Sequence, residues 1–96
     1  VSEDSFEARE RRITLGRQAK DVLENPAYKE AVEFVMQDIW AQFQATEAND
    51  TETREKLWMV SRNTRAIHNR LTGLVSQGST DEAFKADELK RERKDN

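Results

Sequence analysis

The chain has 96 residues, 36% of them charged and 35% apolar, with three glycines, one proline and a formal net charge of −3. That length and apolar share suit one small helical domain with a narrow core and exclude a thick globular one, while so few turn-forming residues exclude a compact all-β fold. With no cysteine in the chain, a disulfide framework and a thiolate metal site are both excluded.

Glu, Lys, Arg, Gln and Ala dominate, and these side chains lose little freedom in a helix, so the elements are expected to be long helices. The first, weaker helix is predicted from about Ser5 to Glu24, interrupted by Gly16 and preceded by a polar arm. Asn25-Pro26 marks the clearest boundary, because Asn caps a helix start, Pro suits the first turn, and Pro discourages a helix from running into it. A second helix should run from there to about Thr46. The polar stretch Thr46-Glu47-Ala48-Asn49-Asp50-Thr51 is a loop, and Asn49 with Glu52 reads as a capping box opening a third helix. That helix is predicted to end at Gln77, with Gly78 as its C-terminal stop. Ser79 and Glu82 then start a last, charged helix or tail over 79–96.

The third helix carries a 3-4-3-4-3 repeat at Leu57, Val60, Thr64, Ile67, Leu71 and Leu74, five of them apolar. This is the seam of a helix built to lie along another. A short loop after a helix of roughly 30 Å and before one of roughly 40 Å predicts an antiparallel hairpin over 25–78. Tyr28, Val32, Val35 and Ile39 form the facing seam. Charge favours the pairing: residues 26–50 carry Lys29 against Glu30, Glu33, Asp38, Glu47 and Asp50, a net −4. Residues 51–78 carry Arg54, Lys56, Arg62, Arg65 and Arg70 against Glu52 and Glu55, a net +3. Phe34, Met36, Trp40 and Phe43 lie off the seam. A helix so broadly apolar is covered on more than one side; Ile13, Val22 and Leu23 of the first helix cover part of it, and the rest is a surface for self-association or a partner. The expected architecture is all-α: a long antiparallel hairpin with a covering N-terminal helix over 1–24 and a charged C-terminal helix. In that last segment Phe84 and Leu89 are the only large apolar side chains among dense mixed charge.

Nothing in the chain resembles catalytic chemistry. The single histidine, His68, has no second His or Cys to complete a zinc site, and reads as a helix-surface residue. Glu30 and Glu33 read as a solvated face rather than an acid–base pair. There is no phosphate loop, nucleophile elbow or HExxH pattern. No enzyme activity, cofactor, metal or small-molecule substrate is expected. Arg54, Trp58, Arg62, Arg65 and Asn69 recur at helical spacing away from the seam; they suit either phosphate contact with Trp58 as a platform or, more simply, Trp58 buried against another helix with arginines stacked upon it. No apolar run approaches the roughly 18 residues of a membrane span, no helix has the strongly basic face of a membrane-surface element, and the polar start is unlike a secretion signal. An intracellular chain with no membrane partner is expected.

The stretch Asp50-Thr51-Glu52-Thr53-Arg54-Glu55-Lys56-Leu57-Trp58, continuing to His68-Asn69-Arg70-Leu71, resembles small helical proteins of tailed bacteriophages, of the type encoded among head, portal and packaging genes. Asn25-Pro26 and Trp40-Ala41-Gln42-Phe43 belong to the same resemblance, which covers about residues 17–78. It implies a chain made in the host cytoplasm, with a place in the virion, and a non-catalytic structural or assembly role with itself or a larger phage structural protein as partner. The alternatives are a DNA-packaging or DNA-binding protein such as a small-terminase-like ring, and a small inhibitor of a host protein.

Overall fold

A computed structural model describes residues 5–95; the arm expected over 1–4 and the final residue lie outside the described residues. Three helices and no strand are found among them: α1 Phe6–Glu24, α2 Pro26–Ala45 and α3 Thr51–Asp95. The expected all-α class, with a long hairpin and a further helix, is what folds. The molecule measures 71 × 32 × 17 Å. Its length is that of α3, whose 45 residues span about 67 Å at 1.5 Å per residue.

Local chemistry sets the helix ends. The Ser5 hydroxyl accepts the Ala8 N–H at 3.2 Å to open α1. Asn25 closes one helix and opens the next: its N–H donates to the Val22 carbonyl at 3.1 Å, while its Oδ1 accepts the N–H groups of Ala27 and Tyr28 at 2.8 and 3.2 Å. Pro26 occupies the first turn, where a missing N–H costs nothing. The third helix is capped by Asp50, one residue beyond the expected Asn49, through its Oδ1 on the Thr53 N–H at 3.2 Å.

The stop expected at Gly78 does not occur, and residues 79–95 are not a separate helix. No glycine among the described residues has a positive φ, so no left-handed cap forms there. Gly78 and Gly16 are instead buried against each other. A Cβ on Gly16 would lie 2.8 Å from the Leu74 carbonyl oxygen and 3.0 Å from the Gly78 Cα; one on Gly78 would lie 3.0 Å from the Arg12 carbonyl oxygen. The glycines allow two backbones to touch. Gly16 likewise does not interrupt α1, which is continuous.

This contact also corrects the placing of α1. It does not cover α2 but lies beyond it, antiparallel to the second half of α3. Arg12 Nε donates to Asp81 at 2.7 Å, Arg9 grips Glu88 through two hydrogen bonds of 3.0 and 2.9 Å, and Arg17 and Lys85 pair with Glu82 and Glu10. These hydrogen bonds hold the Asp81 and Glu88 carboxyls below the ordinary carboxylate range and raise Arg9. Of the residues expected to cover α2, Ile13 is buried beside Lys85, Ala86 and Leu89, Val22 is 40% exposed, and Leu23, at the end of α1, is half-buried. α1 and α2 therefore lie end to end as one interrupted partner for α3.

The core is narrow. Ile13 and Ala19 are the only fully buried hydrophobic residues described, and α2 has no buried residue. Tyr28, Val32 and Ile39 on α2 and Leu57, Thr64, Leu71 and Leu74 on α3 are half-buried or in contact along the seam. Val35, Val60 and Ile67, expected there, are 38, 48 and 64% exposed. The positions that turn inward on α3 are 54, 57, 61, 64, 71, 74, 75, 78, 81, 82 and 85, with His68 meeting Tyr28 between them. That is a heptad row running straight through Gly78. Along the hairpin, Ser61 and His68 point at the partner where Val60 and Ile67 were expected.

Candidate association site on the hairpin

Antiparallel pairing of α2 with the first half of α3 sets the site's geometry. At the tip, Arg54 ties the two helices together: its guanidinium lies 4.6 Å from the centre of the Phe43 ring, and its Nε donates to the Thr46 hydroxyl at 2.8 Å. That hydroxyl in turn donates to the Phe43 carbonyl at 2.6 Å. Toward the other end, the Tyr28 hydroxyl and His68 Nδ1 share a hydrogen bond of 3.3 Å, with the rings nearly parallel at 6.3 Å.

Between these two ties runs an open groove of about 250 Å³, lined by Met36, Ile39, Trp40, Phe43, Leu57, Trp58, Ser61 and Arg65. Three of the four residues read as a partner surface thus come together in it. Met36 and Phe43 are half-buried in its floor, so they serve the hairpin as well as the groove. Trp40 stands on its rim, 59% exposed, with its ring near-parallel to Phe43 at 5.9 Å. Phe34 is apart from the groove and 64% exposed.

The basic stripe divides. Arg54 is absorbed at the tip, half-buried on Phe43. Trp58, Arg62, Arg65 and Asn69 share a shallow recess with Ser61 and Ala66, and the Arg62 guanidinium lies 5.5 Å from the Trp58 ring centre. Trp58 is not buried against a helix of its own chain; it is 60% exposed and forms the groove's second rim.

The site offers apolar and cationic surface. No group of three or more His, Asp or Glu is placed to hold a metal ion among the described residues, and no helix there is long and apolar enough to cross a membrane. Two features lay outside the sequence reading: Ser61 in the groove floor, and the Arg54–Thr46 clasp. The 3-4 spacing from Arg54 through Ser61 to Gly78 and Lys85 was the signal for the first. Comparison with family models, curated proteins and solved structures finds no match for the chain.

Proposed function

We propose that this chain is a non-catalytic structural or assembly protein that works by helix-mediated association, with itself or with a larger protein. The observation that carries the reading is the imbalance of apolar surface. Of twelve large hydrophobic side chains left exposed among the described residues, seven (Phe34, Val35, Trp40, Trp58, Met59, Val60 and Ile67) lie on α2 and the first half of α3. Burying such a side chain is worth about 1.5–3 kcal/mol. Roughly half-exposed, the seven leave on the order of 5–10 kcal/mol unused, as much as the whole net stability of a small domain. Surface of that kind marks an interaction site.

The setting that fits is the tailed phage implied by residues 50–58 and their neighbours, with the chain made in the host cytoplasm and carried into the virion. Light scattering at high micromolar concentration is expected to give a mass of two or more chains, or a stable complex with one component of purified particles. Trp40→Ala should weaken that association about 30-fold while leaving helical content intact. A well-folded monomer that is also absent from purified particles would overturn the reading.

A second reading rests on the shared recess of Trp58, Arg62, Arg65 and Asn69: contact with a nucleic-acid backbone during packaging. It requires duplex binding that weakens with salt and with neutralisation of Arg62 and Arg65. The acidic balance of the chain places it second.

A further inference from the structure

We infer that the groove face of the hairpin receives a second copy of this chain, the two hairpins lying parallel about a two-fold axis that runs along their length. The inference rests on the association reading above and deepens it by naming occupant and orientation.

Four residues define the face. Glu33 and Trp40 are seven apart on α2, and Trp58 and Arg65 are seven apart on α3, so each pair forms one row along its helix. Tyr28 beside His68 and Phe43 beside Arg54 fix the antiparallel register, which sets Trp40 level with Trp58 and Glu33 level with Arg65. Both indoles and Arg65 line the same groove. Glu33 and Arg65 take part in no ion pair among the described residues, although six other ion pairs form. The face thus offers two exposed indoles flanked by one unpaired acid and one unpaired base.

Two copies can meet face to face about a two-fold axis in only two ways. If the axis runs across the helices, α2 lies on α2 and α3 on α3, which sets acidic helix against acidic and basic against basic. If it runs along them, each α2 lies over the other copy's α3. Trp40 of one copy then meets Trp58 of the other, Glu33 meets Arg65, and the contact occurs twice by symmetry. With −4 on residues 26–50 and +3 on residues 51–78, charge selects the second arrangement. The result is a four-helix bundle over the hairpin half. Its size is adequate: a face about 30 Å long and two helices (about 20 Å) wide covers about 600 Å², close to the roughly 800 Å² per partner of standard interfaces. A nucleic-acid backbone fits this face less well, because the acidic helix forms half of it.

The test uses the whole 96-residue chain. Glu33→Lys and Arg65→Glu should each weaken the dimer about tenfold by sedimentation equilibrium, and the double variant should recover to within about threefold of the parent. Since the chain has no cysteine, Ala48→Cys places a unique thiol in the loop at the hairpin tip. Parallel hairpins bring the two tips together, so mild oxidation should link most of the chains. The other arrangement sets the tips at opposite ends of the face, roughly 30 Å apart, beyond the roughly 7 Å Cα limit of a disulfide. A chain that associates but whose double variant stays as weak as the singles, or whose tips do not link, overturns this docking and leaves the association reading standing. A folded monomer at high micromolar concentration overturns the docking; if the chain is also absent from purified particles, both readings fall.

Discussion

The two halves of α3 have partners of opposite kinds. Along its second half, α1 is held by a glycine-to-glycine backbone contact, by Ile13 and Ala19, and by charged pairs from Arg9, Glu10, Arg12 and Arg17. Along its first half, α2 buries no residue and leaves two indoles in the open. The first contact is closed along its seam by these groups, although Phe6, Leu15, Val22, Phe84 and Leu89 stay exposed around it. The second has a clasp at each end and an open groove between them, so apolar surface stays exposed there.

The largest expected effect falls on the completed half. Gly16→Ala sets a methyl 2.8 Å from the Leu74 carbonyl oxygen, and neither backbone can yield without separating the helices. The cost should be about 2–3 kcal/mol, outweighing the helix-propensity gain of up to about 1 kcal/mol from removing a glycine. Gly73→Ala is the control, because a Cβ there meets nothing within 4 Å; that variant should gain up to about 1 kcal/mol. Urea midpoints measure both. Equal and favourable shifts would mean that α1 does not approach α3 this closely.

The same glycines explain what was legible in the sequence. The Asn25-Pro26 boundary could be read because the cap is local: Asn25 Oδ1 accepts the N–H groups of Ala27 and Tyr28, both within the next three residues. Gly78 could not. A glycine at a helix end and a glycine at a close crossing look alike in one chain, and the distinction lies in Gly16 on another helix. The rows 57-60-64-67-71-74 and 57-61-64-68-71-75 share Leu57, Thr64 and Leu71, and both continue to Gly78 and Lys85, the first through Asp81 and the second through Glu82. The apolar count favoured Val60 and Ile67, but Ser61 and His68 are the residues that turn toward α2. The site was legible to the same depth. Trp40 stood out because it lies off every seam, whereas Phe43 and Met36 serve seam and groove at once, which a one-dimensional period cannot separate.

Acid should divide the two halves next. Asp81 and Glu88 have carboxyl pKa values lowered by Arg12 and Arg9. A depressed carboxylate stabilises the fold above its unfolded value, near 4, and that contribution is lost as pH falls through the depressed values. Below about pH 4, α1 should therefore loosen from α3 before the hairpin responds. Both tryptophans lie on the hairpin half, so their fluorescence reports that half alone while circular dichroism reports all three helices. Helicity falling ahead of any fluorescence change is the expected outcome. Simultaneous loss of both signals would mean that the halves unfold as one unit.

The smallest effect belongs to the tip and separates the hairpin's own closure from its open groove. Arg54 makes two contacts that lysine cannot reproduce together, a planar face over Phe43 and an Nε donor to Thr46. Arg54→Lys should cost about 0.5–1 kcal/mol. Arg62→Lys removes a guanidinium from an exposed Trp58 and should change the stability of the single chain by less than about 0.5 kcal/mol. Thermal midpoints of dilute protein measure both. If Arg62→Lys proved the costlier change under those conditions, Trp58 would already be covered within one chain. The hairpin would then be as complete as the α1 contact, and the difference between the two halves of α3 would disappear.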